Sequence, residues 1–268
     1  MKPATGMAAH SDGFFTLVLP FGLSIALSAS PAFAGGCAFE PQGEGRVAAV
    51  IDARSFRLAD GREIRLAGIE PAVSATTGRA RTAALSAIIA GHDVTLRGQD
   101  DGPDRYGRQV AFVFLAASEN LVQGLLLSQG EVLLSADVTD KDCAAALVAA
   151  EAEARQAKRG TWADASVIKN AESPDDILTG IGRFTVVEGK VLSVRQAGAT
   201  TYLNFGRNWT QDFAVTIPRR MTPAIEAAGL TLKSLENKRI RVRGFVEARG
   251  GPRIEVLRVG QIEVLGVN

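Results

Sequence analysis

The chain has 268 residues, with 30 Lys and Arg, 29 Asp and Glu, 2 Cys and 2 His, and a formal net charge of +1. That length suits one large domain or two small ones, and 46% hydrophobic with 22% charged residues excludes a wholly disordered chain. Two cysteines exclude a disulfide-rich scaffold or a four-thiolate metal site, and the scarcity of histidine argues against a Ser-His-Asp triad, so chemistry has to come from carboxylates, arginines and hydroxyls.

Residues 14–34 form an apolar, uncharged run that ends in Ala32-Phe33-Ala34, an A-x-A cleavage pattern. Residues 1–34 are therefore expected to be a cleaved secretory signal, and the protein to be exported, periplasmic or secreted, with no stable membrane span after cleavage. In an oxidising compartment the pair Cys37 and Cys143 is expected to form a disulfide. The alternative is two unpaired thiols with Cys143 in a core.

Residues 37–163 begin with β patterns at 46–52, 55–61 and 63–69, with turns at Asp52-Ala53 and Asp60-Gly61. A helix is predicted over 77–90, strands over 92–98 and 109–116, a helix over 119–129 closed by Gly130, and a strand over 131–136. The last helix is predicted over 141–159, with Cys143, Leu147, Ala150, Ala154 and Ala157 on one face and Gly160 as its stop. This pattern implies a small barrel carrying three helices. Residues 164–180 hold 1 basic and 4 acidic side chains and read as an acidic linker. Residues 181–268 hold 14 basic and 7 acidic side chains and are nearly all β, with strands expected at 183–196, 200–206, 211–217, 238–248 and 253–259 and a helix at 222–229. The order β-β-β-α-β-β matches a five-strand Greek-key OB-fold. The fold class is thus mainly β with helices (α+β): an OB-type five-stranded barrel packed with three helices, then a second small, basic OB-like barrel.

Three stretches carry a family resemblance: 50–72, 104–115, and 120–134 followed by 151–162. Together they resemble the thermonuclease (staphylococcal-nuclease-like) domain from about Gly45 to Trp162. The resemblance implies an OB-type barrel that hydrolyses DNA and RNA using calcium, with two arginines on the phosphate, a glutamate handling the attacking water and two aspartates on the metal. Arg65 and Arg108 match the phosphate-binding arginines, and Tyr106 a tyrosine near the nucleotide phosphate. The family's Asp-Gly-Asp-Thr turn is here Asp52-Ala53-Arg54-Ser55, so a metal-binding aspartate is replaced by Arg54. Glu70 stands in for a second metal-binding acid, and Val73 falls where the catalytic glutamate is expected. The clamp is kept while the base and a metal ligand are lost, which implies a degenerate site; the alternative is that Arg65 and Arg108 are only structural salt-bridge partners on a retained fold. Asp100, Asp101 and Asp104 are a weaker candidate for another metal site.

In the second unit Tyr202, Phe205, Trp209 and Phe213 cluster near the second and third strands, and Arg239, Arg241 and Arg243 alternate along one strand face. Aromatics beside a basic groove suit single-stranded DNA or RNA, so Tyr202, Trp209, Arg241 and Arg243 are candidate nucleotide-binding residues. Asn208-Trp209-Thr210 also matches a glycosylation sequon. The reading that follows is an exported thermonuclease-like protein that binds nucleic acid or another polyanion through a degenerate phosphodiester site. The alternatives are an active calcium-dependent nuclease, and a cell-envelope module that binds protein or glycan.

Overall fold

The computed structural model describes Met1 and residues 37–72, 78–98 and 102–266. Apart from Met1, the segment expected to be a signal lies outside them, as do Val73, Asp100 and Asp101. Among the described residues no helix is long and apolar enough to cross a membrane.

The first barrel is built from β1 (Glu40–Asp52), β2 (Ser55–Leu58), β3 (Glu63–Leu66), β5 (Asp93–Gly98) and β6 (Gln109–Leu115), closed in the order β1-β2-β3-β6-β5. The 13 residues of β1 reach both edges because register shifts bend it. Its first half pairs with β5 and its second half with β2. Period-2 patterning in β3 and β5 sends Ile64, Leu66, Val94 and Leu96 inward, where they meet Phe56 and Phe114. Between β3 and β5, β4 (Ile69–Glu70) leaves the barrel and pairs with β7 (Leu133–Leu134).

Three helices cover the barrel: α1 (Gly78–Ile89), α2 (Val122–Gln129) and α3 (Lys141–Gln156). Gly130 ends α2 with a left-handed φ of 76°, and a Cβ there would run into the Arg159 carbonyl, so both backbone sign and space demand glycine. Asp140 N-caps α3 by accepting from the Cys143 N–H at 2.7 Å. This helix stops three residues short of the predicted end, because Ala157 leaves helical geometry and Lys158 adopts a φ of 51°. Gly160 instead opens a following 3-10 turn. Cys37 and Cys143 form a disulfide that ties the start of the barrel to α3 across 106 residues.

The segment expected to be an acidic linker is structured. It contains β8 (Ile168–Asn170), which pairs parallel to β9 (Phe184–Lys190), and α4 (Pro174–Leu178), whose Ile177 is fully buried. Its acidic side chains face water while Val167, Ala171 and Ile177 supply the apolar anchor. Trp162, Val167, Phe184 and Val186 join Leu133 and Ala154 in one cluster, so 32–268 forms one unit.

In the second sheet, β9 is followed after Val191 and Leu192 by β10 (Ser193–Ala197). Then come β11 (Thr200–Asn204), β12 (Ala214–Pro218), α5 (Thr222–Ala227), β13 (Arg239–Arg249), β14 (Gly251–Glu255) and β15 (Ile262–Val264). The pairing runs β10-β11-β12-β14-β13-β9, with β12 and β14 parallel. Because β9 and β10 are two pieces of one interrupted strand, this path repeats the order of the first barrel, in which the first strand pairs with the second and the fourth and the third lies parallel to the fifth.

Candidate functional site

The turn Ala53-Arg54 joins β1 to β2, and the Arg54 N–H bonds to Asp52 Oδ1 at 2.8 Å. Ser55 lies opposite Arg65 on β3, and β3 runs parallel to β6 with Arg65 opposite Val110. Arg108 immediately precedes β6, so the two arginines expected on the phosphate enter from neighbouring strands. Buried Gln123 of α2 secures this junction. Its amide donates to the Ala111 carbonyl at 3.0 Å and the Ala67 carbonyl at 3.3 Å, and accepts from the Val113 N–H at 3.2 Å.

Glu70 sits at the end of β4 with both carboxylate oxygens engaged. One is paired with Arg54, and the other accepts from Arg65 Nη2 at 2.8 Å. Arg108 donates through Nε and Nη2 to Asp104 Oδ2 at 3.0 and 2.8 Å. Asp104 Oδ1 also accepts from the backbone N–H groups of Tyr106 and Arg108. Burial acts to raise the Asp104 pKa, but the Arg108 side chain and these two N–H groups outweigh it and hold the carboxyl at about 2. Burial and then the like charge of Arg54 lower the Arg65 pKa. Arg65 Nε is buried with no hydrogen-bond partner among the described residues. Of these three guanidinium groups only that of Arg65 lines the neighbouring pocket of about 440 Å³. The pocket is lined by Arg65, Glu70 and Asp104 from the first barrel, by Asp137 beyond β7, and by Arg258 from the second barrel. Arg258 is held there by Nε to Asp137 Oδ1 at 2.9 Å.

Fixed guanidinium groups can recognise phosphate oxygens and stabilise charge that develops on them, and in this site Arg65 and Arg258 stand among the carboxylates of Glu70, Asp104 and Asp137. The site does not suit calcium, which needs several free oxygen ligands. Glu70 is already neutralised by two arginines, and among the described residues no three His, Cys, Asp or Glu side chains gather as a metal site.

Residues 63–164 match the family described as staphylococcal nuclease homologue. The chain is also 31% identical over 128 residues to a protein of Escherichia coli O157:H7 described as an uncharacterized endonuclease, covering 46% of this chain and 80% of that one. The chain belongs to the staphylococcal nuclease homologue family. Arg65, Glu70, Asp104 and Arg108 all fall inside the matched span of this nuclease domain, whereas Arg54 precedes it.

Other candidate residues divide into two groups. Tyr106 is 67% exposed on the turn beside Asp104, its ring centre 5.1 Å from the Arg108 guanidinium. Tyr202 and Trp209 line one cleft of about 710 Å³ on the second barrel. Arg241 and Arg243, expected to contact nucleotides, are instead buried in ion pairs. Arg241 meets Glu188 and Glu263, each at 2.6 Å, and Arg243 meets Glu151 of α3 at 2.9 Å and donates to the Leu134 carbonyl at 2.9 Å. Of the three arginines that alternation groups on β13, Arg239 is exposed, Arg241 is neutralised within its own barrel and Arg243 at the contact with the nuclease domain. Sequence reading missed the pairing of Arg54 with Glu70, of Arg108 with Asp104, and the arrival of Arg258. The first carried a signal, an arginine at a metal-ligand position; Arg258 carried none.

Proposed function

We propose that this protein binds the phosphodiester backbone of nucleic acid at the Arg54, Arg65 and Arg108 cluster, and that efficient calcium-dependent hydrolysis has been lost from it. The observation that carries this reading is Glu70, whose two oxygens are held by Arg54 and Arg65. The Arg54 guanidinium supplies a fixed positive charge where the family resemblance calls for a metal ligand, so phosphate binding needs no divalent ion. Loss of a well-placed base, here Val73, costs roughly 10²–10⁴ in rate. The A-x-A segment and the Cys37–Cys143 disulfide support action outside the cytoplasm, in the periplasm or the medium.

The test uses the full chain and end-labelled single-stranded DNA on one gel, in calcium and in chelator. We expect an intact, retarded band in both lanes, weakened in Arg65→Ala. Cleavage that needs calcium and disappears in Arg65→Ala would overturn the proposal in favour of an active nuclease. An intact and unshifted band would overturn it in favour of an envelope module for protein or glycan.

A further inference from the structure

The second barrel carries a cleft whose chemistry is unlike that of the nuclease-domain pocket. Antiparallel pairing sets Arg195 of β10 directly opposite Tyr202 of β11, so both side chains share one face. The next strands continue that face: Asn204 pairs with Ala214 of β12, and Ala214 with Arg253 of β14. The Arg253 guanidinium lies 5.6 Å from the Tyr202 ring centre. Arg207 and Trp209 come from the loop that joins β11 to β12 and complete the lining.

That loop holds Trp209 out while remaining ordered by its own hydrogen bonds. Asp212 Oδ2 accepts from the Asn208 N–H at 2.6 Å, and the Asn208 carbonyl accepts from the Asp212 N–H at 2.8 Å. Asn208 Oδ1 accepts from the Thr210 N–H and from its hydroxyl. Gly206 is required here because a Cβ would run into the Asp212 carboxylate. Trp209 is left 71% exposed. A single exposed indole needs no explanation by itself, but this one lines a concave surface, where ligand sites occur.

The charges point the same way. Arg195, Arg207 and Arg253 make no ion pair among the described residues, whereas Arg241 and Arg243 of the same barrel are fully engaged. Among the described residues no carboxylate lines the cleft. Three guanidinium groups without an ion pair, alongside the exposed Trp209 and the half-buried Tyr202 that already carries Arg253 over its ring, call for a ligand that is both anionic and flat. A neutral glycan would use the rings and leave the cations unpaired. A duplex would offer phosphates but keep its bases stacked away from the rings.

We propose that this cleft is a binding site for single-stranded nucleic acid, with bases stacking on Trp209 and Tyr202 and phosphates held by Arg195, Arg207 and Arg253. It stands independently of the Arg65–Arg108 site, sharing no lining residue with it.

The test titrates the full chain, in chelator, with labelled dT and U oligomers of about twelve nucleotides, within the ~4–16 that one such barrel spans. The DNA and RNA arms separate the two sources of the same chemistry. Trp209→Ala and Tyr202→Ala are each expected to weaken binding roughly 5- to 100-fold, while Tyr202→Phe keeps it. Arg195→Ala is expected to flatten the salt dependence by about 0.7 for each phosphate it no longer neutralises. The chain has two tryptophans and Trp162 is buried, so fluorescence quenching by the oligomer should vanish in Trp209→Ala. Binding that persists in Arg65→Ala and falls in Trp209→Ala supports the cleft even if the nuclease-domain reading fails. Binding lost in Arg65→Ala and unchanged in both aromatic variants overturns the cleft. So does an uncharged oligosaccharide, a peptide or a duplex that binds there more tightly than the single strand.

Discussion

Replacing Arg243 by alanine tests how the two barrels are joined. Arg243 is 5% exposed and Glu151 1%, so the substitution leaves a carboxylate buried beside an empty space. Breaking a buried pair from one side costs about 3–5 kcal/mol. Two features set the expected value at the lower end. Glu151 keeps the Leu134 N–H at 2.8 Å, and Arg155 already stands 3.5 Å away. The Leu134 carbonyl, in turn, loses its donor at 2.9 Å. A loss of about 3 kcal/mol corresponds to a fall in melting midpoint of roughly 6–12 °C for a folded unit of this size. Calorimetry of Arg243→Ala and of the cycle Arg243→Met, Glu151→Leu and the two combined would measure it. The double variant should be less destabilised than Arg243→Ala, because an apolar pair of similar volume removes both desolvated charges. If Arg243→Ala melts with the parent, or the two single effects simply add, the pair does not couple the barrels and the reasoning fails.

Four further outcomes are expected. Reducing the Cys37–Cys143 bond, which closes a loop of 106 residues, should cost roughly 4–5 kcal/mol on chain-entropy grounds, and an unchanged melting midpoint in reductant would refute this. The Asp104 pKa is depressed on folding, so its stabilisation is complete above about pH 4 and is lost as pH falls toward 2. Denaturant titrations should therefore show a shallower acid loss over that window in Asp104→Asn, and equal slopes would contradict the assignment. Arg258→Ala removes an exposed ion pair worth at most about 1 kcal/mol, so it should leave stability nearly unchanged while reducing the salt dependence of DNA binding. Arg54→Asp should free one oxygen of Glu70 and add a carboxylate beside Asp52, so calcium binding by calorimetry is expected in the variant and not in the parent; equal heats in the two proteins would count against the role given to Arg54.

Much of the candidate site was legible because it is local. Arg65, Glu70, Tyr106 and Arg108 were singled out by resemblance to the nuclease family, carried by short local motifs, while their pairing across the fold was not in the sequence. The aromatic pair Tyr202 and Trp209 was legible because it too is local. Alternation on β13 pointed the wrong way. Period two assigns Arg241 and Arg243 to one face, but it does not say whether that face meets water or the glutamates of another element.

The sequence by itself determined the two runs of strands, the glycine that closes α2, the cysteines available for pairing and the retained arginines of the nuclease domain. The strands and the glycine follow from side-chain periodicity and backbone sterics, and the arginines from the resemblance to the nuclease family. Only the tertiary structure decided which cations are neutralised and which remain available. Arg243 meets Glu151 across 92 residues and Arg258 meets Asp137 across 121, while Arg195, Arg207 and Arg253 gather from separate strands and loops and make no ion pair among the described residues. Charge pairing between distant segments leaves no periodic trace in a chain, because a guanidinium is neutralised by whatever the fold brings within a few ångströms of it.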